Sequence, residues 1–375
     1  MRDEKAPCLV QGVGRKSRST MKVIIAGGGT GGHLYPGIAI AREVLAEAGN
    51  EVLFIGTEQG IEARVLPREG LPVRFITVGK LKGMDLASII RTVATLPRSV
   101  IQSLRLLRET GPDVVVGVGG YSSGPVALAA WLLGKPLIIV EPNSYPGFAN
   151  RVLGKLARKV VLPFPGTNRL KLFSGKKTVQ TGPLVRRGIE GGNREKALTA
   201  YGFEPGRRTV LVMGGSGGAH AINMAMRDAA DLLKNVPNLQ VLHQTGEKDV
   251  QDVTTGYREA GVKATVLPYL HDMPGAYAAA DLVVSRSGAT TVAELAVCGK
   301  RAVLIPYPYA ADNHQEYNAR TLAETGAAEV IIQKELTPEL LAATIRSHIS
   351  RGTAPAPRME TAAAREIVRI CKSYV

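Results

Sequence analysis

Short apolar runs recur along the chain from Met21 and alternate with longer stretches of mixed polarity. The runs are continuous in valine and isoleucine, which is typical of parallel strands covered on both faces. In the first half they read KVIIAG, EVLFIG, DVVVGVG, PLIIVEP and KVVLPF. Helices are predicted between them, among others at residues 37–48 and 85–109. This strand–helix–strand order predicts a doubly wound α/β domain.

The same order starts again at residue 208, with the runs RTVLVMGG, LQVLHQTG, KATVLPYL, DLVVSRSG and RAVLIPYP. Each half opens on a strand, a glycine-rich loop and a helix, so two α/β domains with a cleft between them are predicted. The predicted divisions are a disordered basic extension (1–20), an N-terminal domain (21–185), a C-terminal domain (186–352) and a C-terminal segment (353–375). The last segment is expected to form a helix at 359–374 that packs back on the N-terminal domain. Translation could start at Met1 or at Met21.

Composition narrows the class of protein. Hydrophobic residues make up 45% of the chain, which excludes disorder as its main character. Its apolar stretches fall well short of the ~20 residues that a membrane-spanning helix needs. The spacing of Cys8, Cys298 and Cys371 fits neither a metal site nor a disulfide scaffold and indicates a reducing compartment.

The formal net charge is +15, from 47 Lys and Arg against 32 Asp and Glu. Such a charge favours anionic partners, namely nucleic acid, an acidic membrane surface or phosphorylated substrates. No nucleic-acid recognition motif occurs in the sequence, so we expect no nucleic-acid partner.

The first glycine loop, AGGGTGGHLYPG, carries candidate phosphate-binding and catalytic groups. Gly27, Gly29 and Gly32 satisfy the GxGxxG pattern of dinucleotide sites, and Glu58 offers an acidic partner for a ribose. More generally, glycines let the backbone approach a phosphate, and a helix N-terminus supplies free N–H groups. His33 follows the loop, and an imidazole with a pKa near ~6.5 is suited to take a proton from a hydroxyl group.

The second half carries two further loops. MGGSGGAHAIN places Ser216 among glycines before a helix without the partners of a hydrolase nucleophile, which favours phosphate binding. In SRSGATTVAEL, Ser287 is predicted to cap a helix with amides open to an anion, and Glu294 is placed to accept ribose hydroxyls. A polar cluster that suits a sugar better than a metal follows: Asp312, Asn313, His314, Gln315 and Asn318. No spacing indicates a metal site.

In order, six segments resemble the successive signatures of the MurG family, the peptidoglycan N-acetylglucosaminyltransferases that convert lipid I to lipid II. They are GGGTGGHLYPGIAIA, GVGGYSSGP, EPNSYPGFANR, GPLVR, GGSGGAHAIN and SRSGATTVAEL followed by HQEYNA. The resemblance runs from residue 21 to about residue 330. It implies a GT-B fold of two Rossmann-like domains with UDP-N-acetylglucosamine in the cleft. It also implies inversion at the anomeric carbon, without a metal or cofactor.

The resemblance also implies roles for particular residues. Donor contacts would come from the C-terminal half, with Ser216 on the diphosphate, the Leu270 backbone on uracil, Glu294 on the ribose and Gln315 on the sugar. Arg186 would act at the domain junction near the diphosphate, and His33 is expected to be the general base. Further donor contacts are expected from Thr30, Gly31, Gly32 and Asn143, and sugar contacts from His314 and Asn318. Lipid I, the undecaprenyl-linked acceptor, would meet Thr30, His33, Tyr121 and Asn143 in the N-terminal half.

Three positions depart from the family pattern. Gly217 stands where many relatives have Gln, Pro183-Leu184 replaces the usual Asn-Pro, and His314 occupies a site that is Gln in some members. The first departure removes a possible side-chain contact to the donor, and the second falls at the expected inter-domain hinge.

A basic and apolar segment predicts a membrane surface as a further partner. Residues 64–109 contain nine Lys and Arg but only three Asp and Glu. Apolar residues are interleaved with them: Phe75, Leu81, Met84, Leu86, Ile89 and Ile90. Arg151, Lys155, Arg158 and Lys159 extend it. Such a surface suits anionic headgroups, so we expect a peripheral protein on the cytoplasmic face of the plasma membrane. The alternative is that the apolar residues are core and the charges form a solvated face.

Other functions remain open from sequence. The nearest is transfer to another lipid such as diacylglycerol, and a second is a UDP-sugar epimerase on the same two-domain architecture. An NAD oxidoreductase and a non-catalytic membrane-binding protein are weaker alternatives, because they leave the C-terminal loops or the polar cluster unexplained. The oligomeric state is left open.

Overall fold

A computed structural model describes residues 20–79, 86–164, 167, 171–352, 355–360 and 362–375, without the side chains of 86–94. These residues form two all-parallel sheets, each flanked by helices. Residues 1–19 of the predicted extension lie outside the described residues.

The first sheet follows from the valine- and isoleucine-rich runs of the first half. Its strands are β1 (Lys22–Gly27), β2 (Glu51–Gly56), β3 (Val73–Phe75), β4 (Val114–Gly119), β5 (Leu137–Val140), β6 (Lys159–Leu162) and β7 (Thr178–Gln180). Its helices are α1 (Gly31–Leu45), α2 (Glu62–Arg68), α3 (Leu86–Thr110), α4 (Ser123–Leu132) and α5 (Phe148–Leu156). The strand order is β3-β2-β1-β4-β5-β6-β7.

The second sheet repeats this order as β10-β9-β8-β11-β12-β13. Its strands are β8 (Arg208–Met213), β9 (Leu239–Gln244), β10 (Ala264–Leu267), β11 (Leu282–Ser285), β12 (Ala302–Leu304) and β13 (Ala328–Val330). The helices of this half are α6 (Arg194–Ala200), α7 (His220–Asp228), α8 (Ala230–Leu233), α9 (Val250–Glu259), α10 (Met273–Ala279), α11 (Ala289–Cys298), α12 (His314–Ala323) and α13 (Pro338–Ser350). The last helix in the chain is α14 (Ala363–Lys372).

Successive residues of a strand point to opposite faces of its sheet, and both faces of each sheet are buried. In β1, Val23 and Ile25 join one hydrophobic cluster and Ile24 joins another. Helix α14 contributes Ile367 to the cluster of Val23 and packs against α1, so the end of the chain covers the first sheet.

The order of the strands determines where the two glycine-rich loops lie. In both sheets the winding reverses between the first strand and its neighbour, β1 beside β4 and β8 beside β11. Ligands of such sheets bind beyond the carboxyl ends of the strands at this reversal. The two glycine loops follow β1 and β8, and α1 contacts α11, so the two reversal points meet in the cleft.

Two element boundaries differ from the sequence prediction. Helix α1 begins at Gly31 rather than at residue 37, because the His33 and Leu34 amides donate to the Thr30 carbonyl at 3.2 and 3.1 Å. Glycines and Pro36 are poor helix formers and hide this turn in the sequence. Strands β3, β7 and β13 were not predicted, since each is a three-residue edge strand with no fully buried residue.

The C-terminal helix is shorter than predicted, covering Ala363–Lys372 instead of 359–374. The segment before it runs along α11, where the Ala356 and Met359 amides donate to the carbonyls of Gly299 and Ala296. These hydrogen bonds replace the helical ones, so the helix starts only after the segment has crossed α11.

Candidate active site

A cavity of about 720 Å³ opens between the two halves at the carboxyl ends of β8 and β11. It is lined by seven residues that the sequence had assigned to the donor: Gly31, Gly32, Arg186, Ser216, Leu270, Glu294 and Gln315. Six other candidates, Thr30, His33, Tyr121, Asn143, His314 and Asn318, lie outside its lining.

The second glycine loop is held close to the strand beside it. A Cβ on Gly218, which has φ +76°, would collide with the Thr245 carbonyl, and the Gln244 side chain donates to the Gly215 carbonyl at 2.7 Å. This leaves Ser216 exposed at the cavity. Helix α7 follows with Ala219 as its N-cap, a residue without a capping side chain, so the first amides of the helix remain open to an anion.

Arg186 and Glu294 form an ion pair in the cavity wall. Glu294 is 3% exposed, and its carboxylate accepts from Arg186 Nε and from the Tyr277 hydroxyl, both at 2.9 Å. The Arg186 guanidinium also lies 4.7 Å from the centroid of the Tyr35 ring. Because each carboxylate oxygen accepts two hydrogen bonds, Glu294 keeps capacity for ribose hydroxyls.

The two partners influence each other's protonation. Burial raises the pKa of Glu294, although Arg186 and Tyr277 oppose the rise. Burial alone would lower the pKa of Arg186, but the Glu294 carboxylate and Tyr35 outweigh it and the pKa is raised. The guanidinium therefore stays charged beside the cavity.

Ser287 does not cap α11, contrary to the sequence prediction. The helix begins at Ala289 with Gly288 as its N-cap, and the buried Ser287 hydroxyl donates to the Gln315 carbonyl at 2.8 Å. The Gln315 side chain accepts from the Tyr307 amide at 3.0 Å. Ser287 thus positions the start of α12, and Gly288 brings no capping side chain to the first amides of α11.

His33 lies on α1 with its ring directed at the end of β4. Its Nδ1 is 3.0 Å from the Val118 carbonyl, and Gly119, at φ +94°, makes room for the ring because a Cβ there would lie 2.5 Å from Nδ1. Burial lowers the pKa of His33, the charge of Glu141 and the Val118 hydrogen bond oppose this, and His314 adds to it. The net effect is a pKa of His33 below its ordinary value.

A fully buried carboxylate that was not predicted from the sequence, Glu62, lies beneath the first glycine loop. It accepts from the Gly29 amide at 2.7 Å and from the amide and hydroxyl of Thr57 at 2.8 and 2.9 Å. A Cβ on Gly28 or Gly60 would collide with it. Glu58, the acidic residue singled out from sequence, is exposed. The Gly29 amide that a dinucleotide would need is therefore already bonded to a carboxylate, which argues against the NAD alternative.

Asn143 and Asn318 meet each other across the two halves. Asn318 Nδ2 donates to Asn143 Oδ1 at 3.1 Å, and Asn318 Oδ1 accepts from the Ser144 amide at 2.7 Å. Asn143 is in turn held by Glu141, a buried carboxylate that sequence reasoning also missed and that accepts from the Asn143 amide and side chain at 2.8 and 3.0 Å. In this conformation both asparagines are buried, so their substrate contacts stay predictions.

The remaining candidates lie at the edge of the site. Thr30 is exposed at the N-cap of α1, and Tyr121 is half exposed over Gly29. His314 donates from Nδ1 to the Ala311 carbonyl at 2.7 Å. A Cβ on Gly217 would meet no described atom within 4 Å, so the loop has room for the glutamine of other relatives.

Within the described ranges, no group of three or more His, Cys, Asp and Glu side chains is arranged to hold a metal ion. Along the same part of the chain, no helix combines the length and hydrophobicity needed to cross a bilayer.

Comparison with known proteins places the chain in a family. Residues 23–162 match the N-terminal domain of glycosyltransferase family 28, and residues 209–373 match its C-terminal domain. A relative from Anaeromyxobacter sp. (strain Fw109-5) is named UDP-N-acetylglucosamine–N-acetylmuramyl-(pentapeptide) pyrophosphoryl-undecaprenol N-acetylglucosamine transferase. It is 47% identical over 364 residues, which cover 95% of this chain and 94% of the relative.

Solved structures agree with the fold. The crystal structure of Acinetobacter baumannii MurG aligns with a TM-score of 0.73 at 30% identity, covering 94% of this chain and 99% of that one. A UDP-N-acetylglucosamine 2-epimerase from Neisseria meningitidis, bound to UDP-N-acetylglucosamine, aligns with a TM-score of 0.63 over 93% of this chain and 99% of that one. Its 14% identity shows a shared fold alone.

The GT-B fold predicted from sequence is thus confirmed by two parallel-sheet α/β halves and by the match to both domains of one glycosyltransferase family. The match extends over most of the chain and over nearly the whole length of the relative at 47% identity. The chain therefore belongs to glycosyltransferase family 28 and, within it, to the MurG family of N-acetylglucosaminyltransferases.

Proposed function

We propose that the chain transfers N-acetylglucosamine from UDP-N-acetylglucosamine to the muramyl 4-hydroxyl of lipid I, with inversion at the anomeric carbon, and so forms lipid II. The observation that carries the proposal is the cavity between the two sheets, lined by seven residues that the family resemblance assigns to the donor. The names of the relatives support both substrates.

On the donor side, the exposed Ser216 and the open amides of α7 offer hydrogen bonds to the diphosphate. Leu270 also lines the cavity, where its backbone would meet uracil, and Glu294 would accept the ribose hydroxyls. Gln315 would address the sugar, because its side chain is fixed in the lining by the Tyr307 amide. Each role is a proposal built on the position of the residue in the cavity wall.

Departure of UDP develops negative charge on the diphosphate, and that charge needs preorganised donors. Arg186 supplies a fixed cation whose orientation is set by Glu294 on one side and by the Tyr35 ring on the other. The N-termini of α7 and α11 add partial positive charge. Arg186 is thus our candidate for the residue that stabilises the leaving group.

His33 is our candidate for the general base that takes the proton of the acceptor hydroxyl. If Nδ1–H donates to the Val118 carbonyl, the unprotonated nitrogen is Nε2. The lowered pKa keeps the ring neutral near pH 7, which a base requires. Thr30, Tyr121 and Asn143 belong to the same N-terminal half and would face the acceptor.

The lipid acceptor implies contact with a membrane, and the helices over one face of the first sheet support this. Four apolar side chains on α4 and α5 are 47–71% exposed: Trp131, Leu132, Phe148 and Val152. Lys155 and Arg158 are exposed next to them. Each basic residue near an anionic surface contributes about 1 kcal/mol. Residues 80–85 and the side chains of 86–94, which belong to the segment singled out from sequence, lie outside the described residues.

The reaction is tested with purified protein in EDTA, radiolabelled UDP-N-acetylglucosamine, and either a lipid I analogue or diacylglycerol. We expect label to move to the lipid I analogue alone. Transfer to diacylglycerol alone would support the alternative lipid acceptor, and free sugar products without lipid would support the epimerase. Activity that appears only with a divalent metal would contradict the assignment of the leaving-group charge to Arg186 and helix amides.

Membrane contact is tested by cosedimentation with liposomes. We expect binding to vesicles containing anionic lipid and weaker binding to neutral vesicles. Replacing Trp131 and Phe148 together by serine should reduce binding while UDP binding is retained, because neither residue lines the donor cavity. Absence of binding to either vesicle would exclude a peripheral location on the cytoplasmic face.

A further inference from the structure

His220 lies at the donor cavity without an assigned role. It is the first residue of α7, lines the same cavity as Ser216, and its side chain is 75% exposed. Its Nδ1 lies 3.0 and 3.1 Å from the two carboxylate oxygens of Asp249. A carboxylate bound to one ring nitrogen fixes the orientation of the ring and leaves the other nitrogen free, here on a residue of the cavity lining.

The hydrogen bonds behind Asp249 have a defined direction. Asn223 Nδ2 donates to Asp249 at 2.7 Å and to the Thr245 carbonyl at 2.8 Å, so Asn223 Oδ1 is the acceptor for His243 Nε2 at 3.1 Å. His243 Nδ1 then accepts from the Tyr257 hydroxyl at 3.0 Å. The donors of Tyr257, His243 and Asn223 therefore follow one another toward Asp249, while the second N–H of Asn223 donates to the Thr245 carbonyl.

Protonation is consistent with that direction. Burial lowers the pKa of His243 to about 3, so this ring is neutral and carries its single proton on Nε2. Burial would raise the pKa of Asp249, but the hydrogen bonds from Asn223 and His220 outweigh it and the pKa is lowered. Asp249 is consequently an ionised carboxylate, and His220 Nδ1 carries a proton that it donates to Asp249.

We propose that His220 is a further donor-binding residue: lying between Asp249 and the bound diphosphate, its ring takes up a second proton on binding and donates Nε2–H to the diphosphate of the UDP-sugar and of the UDP product. Asp249 is its positioning residue, held in turn by Asn223, His243 and Tyr257. The inference rests on the proposed function and adds a charged contact beside Ser216 and the α7 amides. Hydrogen bonds from a cationic donor to a phosphate are shorter and stronger than neutral ones.

The test is binding of UDP and of uridine by calorimetry, with uridine measured by displacement where its affinity is low. In His220→Ala we expect UDP to bind about tenfold more weakly, because a charge-assisted hydrogen bond is lost, while uridine binding is unchanged. His220→Arg, which restores a cation, should recover most of the affinity, and His220→Gln should not. Asp249→Asn should weaken UDP binding in part, again without affecting uridine.

Arg227→Gln is the matched control, because Arg227 lies on the same helix and pairs with Asp228 at the surface. It should leave both affinities unchanged. Unaltered UDP binding in His220→Ala would overturn the proposal, and so would an equal loss for UDP and uridine, which indicates a damaged fold. If the unaltered protein binds UDP no more tightly than uridine, the proposed function itself fails.

Discussion

The hydrogen bond between His33 and the Val118 carbonyl determines which ring nitrogen is available for chemistry. A backbone carbonyl can only accept, so Nδ1 carries the proton and Nε2 has the free electron pair. Burial lowers the pKa of the ring from its ordinary 6.5. Geometry and protonation thus agree with the role of a base, although His33 is not part of the cavity lining in this conformation.

Replacing His33 by alanine is expected to reduce kcat by about 10²-fold or more, because the acceptor hydroxyl loses its proton acceptor. UDP affinity should change little, since Ser216, Leu270 and Glu294, the residues assigned to UDP, lie on the other half of the cleft. The measurement is steady-state kinetics together with UDP titration. Loss of UDP affinity with turnover preserved would assign His33 to substrate binding instead.

The pH dependence provides a second test of the same residue. In the folded protein the pKa of His33 lies below 6.5, so the ring is mostly neutral at pH 6.5. It gains its proton only at lower pH. We therefore expect the acidic limb of the kcat/KM profile to fall below pH 6.5 in the unaltered protein. An acidic limb above pH 6.5 would contradict the lowered pKa.

At the scale of elements, the first glycine loop is fixed by the residue that begins α2. Glu62 accepts three hydrogen bonds and contacts the space that a side chain at Gly28 or Gly60 would occupy. The loop leads directly into the first turn of α1, which carries Thr30 and His33. Its conformation therefore depends on a buried carboxylate 33 residues further along the chain.

In Glu62→Gln, the amide oxygen of the new side chain can still accept from Thr57, but its amide nitrogen would face the Gly29 N–H group. Leaving a buried donor unsatisfied costs about 1–3 kcal/mol, so the free energy of unfolding should fall by that amount. Turnover should fall because the loop no longer holds His33 in place, while UDP affinity should be preserved. Denaturant titration, kinetics and UDP binding measure the three quantities.

Glu58→Gln is the matched control, since Glu58 lies on the same β2–α2 connection and is exposed. It should behave like the unaltered protein in all three measurements. Equal stability and turnover in Glu62→Gln and Glu58→Gln would show that Glu62 does not position the loop.

These contacts also show what the sequence could predict. The long strands, the loops after β1 and β8 and the helix N-termini depend on residues close together in the chain, and local patterns predict them. Glu62 bonded to Gly29, and Asn143 bonded to Asn318, join residues 33 and 175 positions apart. No local pattern carries that pairing. Ser287 was misplaced for the same reason, because its hydroxyl bonds to the carbonyl of Gln315, 28 residues away.

At the scale of the whole molecule, the two halves are joined beside the cavity by polar and aromatic contacts. Arg151 on α5 donates to the Tyr145 hydroxyl at 3.0 Å and to Asp312 at 2.9 Å, and the Tyr145 ring stacks on Tyr317 of α12 at 4.7 Å. Asp312 and Asn313 both have φ +51°, the left-handed region. The ion pair between Arg151 and Asp312 thus links α5 to the strained turn that precedes His314 and Gln315.

Breaking this link should favour an open cleft and so weaken substrate binding. A protein that binds substrate only when closed has an apparent affinity reduced by its closed fraction. A partly exposed ion pair contributes up to about 1 kcal/mol, so KM for UDP-N-acetylglucosamine should rise about two- to fivefold in Arg151→Gln with kcat nearly unchanged. Small-angle scattering should show a larger radius of gyration without ligand and the ordinary value with UDP bound.

Asp312→Asn separates the charge from the backbone strain, because asparagine adopts the left-handed conformation as readily as aspartate. It should reproduce the part of the Arg151→Gln effect that comes from the ion pair, and the double variant should be no worse than Arg151→Gln alone, since that substitution has already removed the ion pair. Arg320→Gln removes an ion pair with Glu316 that lies within α12 and does not join the halves, so it should leave KM and the radius of gyration unchanged. If Asp312→Asn and Arg151→Gln gave independent, additive effects, the ion pair would not be what holds the two halves together.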